Sequence, residues 1–199
     1  MIDKAPRHRA IARSLGLGGL ALAGALLLAG CGGATPTTFD LSAPSGFGRV
    51  GGASTLAVAR PTTVQALDSD RVIVKDSSGA LSFVGGAQWA DTVPALVQTR
   101  LIQTFENAGR IAAVASPDQR VTPTAQLLTD IRSFNIEAGS GTAVVEITAK
   151  IVGDSTGRIQ RARLFTARVP AGAVDGAGAT QALNQALSQV LIEIVRWAR

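Results

Sequence analysis

Few residues in this chain could carry covalent or acid–base chemistry. Its 199 residues include one cysteine, Cys31, one histidine, His8, and no tyrosine. Cys31 closes the stretch LLLAGCGG at residues 26–33, after an uncharged run from Leu15 to Ala29, rather than lying within a core pattern. His8 belongs to the leading segment MIDKAPRHRAIARS, where Lys4, Arg7, Arg9 and Arg13 face a single acid, Asp3. A basic segment followed by a short apolar run has the order of a secretory signal. The run holds 15 residues, fewer than the about 20 a helix needs to cross a hydrocarbon core.

Leu28-Ala29-Gly30-Cys31 resembles the lipobox of bacterial lipoproteins, in which the thiol receives a diacylglyceryl group and the cysteine becomes the new N-terminus. On that reading residues 1–30 are a signal peptide and Cys31 is the lipidated anchor. Processing removes His8 and commits the only thiol to a thioether. The mature chain then has no imidazole, free thiol or phenol, which excludes Ser-His-Asp and Cys-His catalysis, zinc sites built on His or Cys, and disulfides. Carboxylates remain. Asp68 and Asp70, in ALDSDRV, have the spacing of paired acids. Their surroundings supply neither an apolar setting for a general acid nor the repeated oxygen ligands of a calcium loop. Asp130 and Arg132 read as same-face strand charges. No Walker-type loop, GxSxG or SxxK occurs, and Gly51-Gly52 and Gly85-Gly86 read as turns. The expectation is a protein that is not an enzyme and uses no cofactor or metal.

Processing would leave 169 residues, enough for one compact domain and a tether. They keep 15 basic and 13 acidic side chains, so the formal charge falls from +5 to +2. Much of the basic character belongs to the signal, and no Lys/Arg run interleaved with aromatics remains to grip nucleic acid.

The elements that must position these residues follow from spacing. Residues 31–54 are rich in Gly, Ser, Thr, Ala and Pro and read as a flexible tether; Phe39-Asp40-Leu41 within it fits either linker or a short edge strand. The domain is expected over residues 55–199. Strands are predicted at Thr55–Ala59, Arg71–Lys75 and Leu81–Val84, the last two joined as a hairpin across Asp76-Ser77-Ser78-Gly79. A helix fits ADTVPALVQTRLIQTFENAG, with Asp91 or Thr92 as cap, Pro94 in the first turn and Gly109 at the end. Its stripe of Val93, Leu96, Val97, Leu101 and Phe105 faces a core. After a short strand at Ile111–Val114, strands at Gln126–Ala138, Ala143–Asp154 and Arg158–Val169 form an antiparallel meander. Val145, Ile147, Ala149 and Ile151 should be buried, with Glu146, Thr148 and Lys150 on the wet face. A closing helix from Thr180 to Ala198 carries Leu183, Leu187, Val190, Ile194 and Trp197, and packing on the sheet is favoured over a coiled coil because Leu191 and Val195 widen the stripe. The fold class is α+β: an antiparallel sheet with two amphipathic helices on one face.

An LAGC lipobox, FDLSAP, LAVARP, DSDRVIVK, WADTVPALVQTRLIQTFENAG, LLTDIRSFNIE and ALNQALSQVLIEIVRWA, in that order, resemble the ABC-type transport auxiliary lipoprotein family, the PqiC-like lipoproteins. The similarity runs from the lipobox to the C-terminus. It implies a component without ATPase activity that accompanies ABC transporters or MCE-domain (mammalian cell entry) proteins moving lipids, mainly phospholipids, between membranes. It also implies a lipid-anchored, periplasm-facing place in the cell envelope. Gly32 follows the cysteine instead of the aspartate linked in enterobacteria to inner-membrane retention, so the outer membrane is expected, with acyl chains such as palmitate on Cys31.

Such a role works by docking, as a monomer or a homo-oligomer. Phe39, Leu41, Trp89, Arg161 and Arg163 are the partner-binding candidates. For Trp89 and Trp197 core or core-edge packing is favoured over an interface. Arg158, Arg161, Arg163 and Arg168 around the last strand fit a solvated sheet face, an acidic partner or lipid headgroups. A structural or regulatory envelope lipoprotein that binds another assembly is the alternative reading.

Overall fold

The computed structural model describes residues 35–49, 55–109, 114–116 and 122–198. The signal segment, Cys31, Gly51-Gly52 and Ile111–Ala113 of the short strand lie outside the described residues. Pro36–Arg199 forms one compact unit.

Among the described residues nine strands make a single sheet. In chain order these are β1 (Thr37–Phe39), β2 (Leu56–Val58), β3 (Thr62–Thr63), β4 (Arg71–Lys75), β5 (Leu81–Trp89), β6 (Val114–Ala115), β7 (Ala125–Glu137), β8 (Thr142–Gly153) and β9 (Ile159–Pro170). Helix α1 (Val93–Asn107) falls between β5 and β6, and α2 (Gly176–Trp197) closes the chain. Strand β7 is the spine. One edge pairs antiparallel with β8, and β8 with β9, as the turns at 138–141 and 154–158 dictate. The other edge receives β2, β3 and β4 in succession, all parallel.

The sheet is therefore mixed, which corrects the expectation of an antiparallel one. The antiparallel pairs, β4–β5 and the β7–β8–β9 meander, are those joined by tight turns. The parallel pairs to β7 are joined through α1, the long crossover that parallel strands need. Strand β5 also departs from expectation: it continues through Gly85-Gly86 to Trp89 instead of ending in a turn there. Gly86 takes φ +70°, and the register slips between the pairs Arg71–Gln88 and Ile73–Phe83, so the glycines build a bulge.

Helix α1 follows its sequence signals. Thr92 occupies the N-cap position, Pro94 lies in the first turn, and Gly109 at φ +88° donates its N–H to the Glu106 carbonyl. Helix α2 starts four residues before the expected Thr180, inside what reads as a Gly/Ala link. Asp175 makes this possible: its Oδ1 accepts the Gly178 N–H at 2.7 Å, satisfying a first-turn donor. The two helices pack against one another and on the sheet. Val97, Leu101 and Phe105 of α1 and Leu183, Leu187 and Leu191 of α2 are buried with Leu127, Ile131, Val145, Ile147 and Ala149 of the sheet. Thr148 is half-buried and Lys150 exposed, as expected for the wet face.

Residues 37–48, read from sequence as tether with a short edge strand as the alternative at Phe39-Asp40-Leu41, hold to the domain. Strand β1 pairs parallel with β5. Beyond it the chain crosses both helices: Asp40 meets Arg100 of α1, Leu41 is 2% exposed, and Ser42 bonds Asn184 of α2. Asn107 then donates to the Pro44 carbonyl, and Arg196 to that of Phe47. Backbone groups that a free linker would leave to water are thus taken up by helix side chains.

Candidate functional site

Alternation along β9 sets the site. Phe165 pairs with Ile147, Arg163 with Ala149 and Arg161 with Ile151, so these three β9 residues share the helix-bearing face with the buried row of β8. Phe165 and those after it on this face, Ala167 and Val169, are buried; Arg161 and Arg163 extend past the covered core and are exposed. There the last turn of α2 arrives. Trp197 meets Phe165 edge-on, with ring centroids 5.5 Å apart and planes at 74°. The Arg161 guanidinium lies 4.8 Å from the Trp197 ring and that of Arg163 4.9 Å from the Phe165 ring. The electron-rich ring faces attract these cations and hold their planes.

Arg161, Arg163, Arg196, Glu193 and Trp197 line an open groove of about 370 Å³. Three guanidinium groups face one carboxylate there. Glu193 approaches Arg163 at 3.8 Å, with both side chains half exposed, an arrangement that contributes about 0–1 kcal/mol. A groove with this charge balance suits an anion, an acidic side chain included. It lies at the C-terminal end of α2. At the other end, a side chain on Gly176 would meet Ala87 and Phe39, placing β1 there, about 30 Å away along a 22-residue helix.

The candidate partner-binding residues separate. Arg161 and Arg163 meet in the groove. Trp89 is 1% exposed and sits edge-on to Phe134 at 5.8 Å, and Leu41 of the crossing segment is 2% exposed, so both belong to the core instead of a contact surface. Phe39 is half-buried on β1, 3.7 Å from where a Gly176 side chain would start. Cys31 lies outside the described residues.

Asp68 takes a 2.8 Å bond from Arg60, while the Asp70 carbonyl accepts the Trp89 N–H. Asp130 accepts from Thr62, and a register shift between Ile131 and Ser133 takes Arg132 out of the paired ladder. The Asp76 carboxyl has a perturbed ionisation. The Ser78 hydroxyl, followed by the Ala80 N–H, donates to its carboxylate and holds its pKa below the usual aspartate value. Those bonds close the β4–β5 turn.

Sequence reading found the arginines but missed Phe165 and Trp197 as their supports. The signal was present: Phe165 shares parity with Arg161 and Arg163, and Trp197 ends the apolar stripe of α2.

A family model described as "ABC-type transport auxiliary lipoprotein component" matches residues 39–195. An uncharacterised protein of Bradyrhizobium diazoefficiens is 32% identical over 166 residues, 80% of this chain and 44% of that protein, so the chain spans less than half of that relative's length. A crystal structure of a Xanthomonas campestris protein of family DUF330 superposes with a TM-score of 0.73 at 30% identity, covering 81% of this chain and 94% of that one. A second crystal structure, of an uncharacterised protein, shares the fold with a TM-score of 0.64 at 14% identity over 83% of this chain and 99% of that one.

Proposed function

We propose a function from one premise: the chain belongs to the ABC-type transport auxiliary lipoprotein component family. It acts as a lipid-anchored, periplasm-facing subunit of an ABC or MCE-type system that moves phospholipid between membranes, and it contributes by docking. The observation that carries this reading is that the family match begins at residue 39, eight residues after the lipobox cysteine. Residues 1–30 are the signal, and Cys31 takes the acyl chains, palmitate among them.

The anchor reading gains a geometric consequence. Only five residues, six Cα–Cα steps, separate Cys31 from Thr37, the start of β1, a reach of about 22 Å at most. The effective tether is thus shorter than residues 31–54. An MCE-domain protein is the proposed partner, the outer membrane the proposed location, and Arg161 and Arg163 the proposed contact. No helix among the described residues is long and apolar enough to cross a membrane.

The test is affinity isolation of the tagged full-length protein from detergent-solubilised envelopes. Transport subunits should co-purify, and the isolated protein should hydrolyse neither ATP nor lipid esters. Enrichment of another envelope assembly in their place would favour a structural or regulatory envelope lipoprotein. Cys31→Ala should leave unprocessed precursor or release the protein from membranes, and unchanged mass and fractionation would sink the anchor.

A further inference from the structure

We infer that the outer edge of β9 is a docking site for an acidic, extended segment of another protein, which joins the sheet as a further strand and sets carboxylates at alternate positions against Arg161 and Arg163. Among the described residues β9 pairs only with β8. Its other edge runs the length of a 12-residue strand. The Ala171 N–H bonds the Gly141 carbonyl, and the Arg158 carbonyl accepts from Gly153. Alternation from Ala171 turns the backbone of Val169, Ala167, Phe165, Arg163 and Arg161 toward β8, and that of Arg168, Thr166, Leu164 and Ala162 outward. Pro170 falls on the outward parity, where its missing N–H breaks no bond within the sheet. Ala162, Leu164, Thr166 and Arg168 are all exposed.

The chemistry of the occupant follows from the side chains. In an antiparallel pairing, partner residues opposite Arg161 and Arg163 occupy non-hydrogen-bonded positions, where facing side chains lie closest. Acids at i and i+2 of the incoming strand would meet both guanidinium groups, already oriented by Trp197 and Phe165. Arg158 adds the same sign just before β9, whereas Arg168, on the opposite face, is paired with Glu137. Two antiparallel copies of β9 centred on Ala162 would set Arg161 against Arg163, so the charges that admit an acidic strand also oppose self-pairing in that register.

The inference rests on the reading that this domain works by docking, and it supplies the surface and partner chemistry. It is tested with the full-length protein in detergent and a synthetic ten-residue peptide alternating glutamate with valine and threonine. The control peptide has the same composition with its glutamates contiguous. The alternating peptide should bind at least ten-fold more tightly than the control, and it should slow hydrogen exchange at the amides of Ala162, Leu164 and Thr166. Arg161→Glu together with Arg163→Glu should weaken binding at least ten-fold. Leu164→Pro, which removes one outward donor, should do the same. If Leu164→Pro fails to fold, the exposed arginine pair still decides the matter. Equal binding of the two peptides, binding without amide protection, unchanged affinity after charge reversal, or concentration-dependent protection of these amides in the protein alone would each overturn the proposal. Peptide binding that persists while transport subunits fail to co-purify would count against the transport reading and leave this one standing.

Discussion

Arg100 Nη2 donates to both carboxylate oxygens of Asp40, each at 2.6 Å, and so joins the middle of α1 to the segment that leaves β1. The arginine side chain is 15% exposed and the aspartate 56%. Arg100 also reaches Gln103, while its Nε is buried without a partner. Asp40→Ala would strand a largely covered charge. It should lower stability by about 1–2 kcal/mol, in the range for charged hydrogen bonds tempered by solvent on the aspartate side. Thermal or urea melts should show this loss, and a change below about 0.5 kcal/mol would mean that the segment does not depend on the pair.

The core assignment is tested by contrast. Leu101 is fully buried between α1 and the sheet, whereas Lys150 is exposed on the opposite face. Leu101→Ala should cost about 2–5 kcal/mol, and Lys150→Ala less than about 0.5 kcal/mol. Equal melting shifts would contradict the facing of β8.

The β4–β5 turn should respond to acid. Asp76 has a pKa held below the usual aspartate value, so its ionised form favours the folded turn. Because the folded pKa is the lower one, the stabilisation is present above the unfolded value and is lost as pH falls through the folded value. Ser78→Ala removes the largest cause and should move the Asp76 pKa upward toward the ordinary value. Carboxyl-detected NMR titration of both proteins would measure this, and an unchanged Asp76 midpoint would refute the role of the hydroxyl.

Local signals carried the legible part of the fold. The β7–β8–β9 meander is marked by Gly139-Ser140-Gly141 and by the Asp154–Gly157 turn, and α1 by Pro94 and Gly109 at its ends. The parallel partners of β7 were not readable, because no residue near β2, β3 or β4 encodes pairing across α1. Asp40 and Arg100 are 60 positions apart, so the crossing segment resembled a linker by composition. Gly86 looked like a turn since a left-handed glycine serves a bulge equally well. At the candidate site, Arg161 and Arg163 were visible as alternating charges. Their meeting with Trp197 depends on where α2 ends over β9, which packing decides. Packing also moved Leu41 and Trp89 inward, since large apolar side chains suit a core as well as an interface.

The docking claim is met most directly by photo-crosslinking in intact cells. A photoreactive amino acid is placed at Leu164, on the outer edge of β9, or at Val64, which is 64% exposed on a loop away from that strand. The Leu164 position should give an adduct containing an MCE-domain or ABC transporter subunit, and Arg161→Glu with Arg163→Glu should abolish it. An adduct from Val64 alone would displace the contact from β9. Absence of any transport subunit from the adducts at both positions, in protein that is folded and membrane-attached, would contradict the docking function itself.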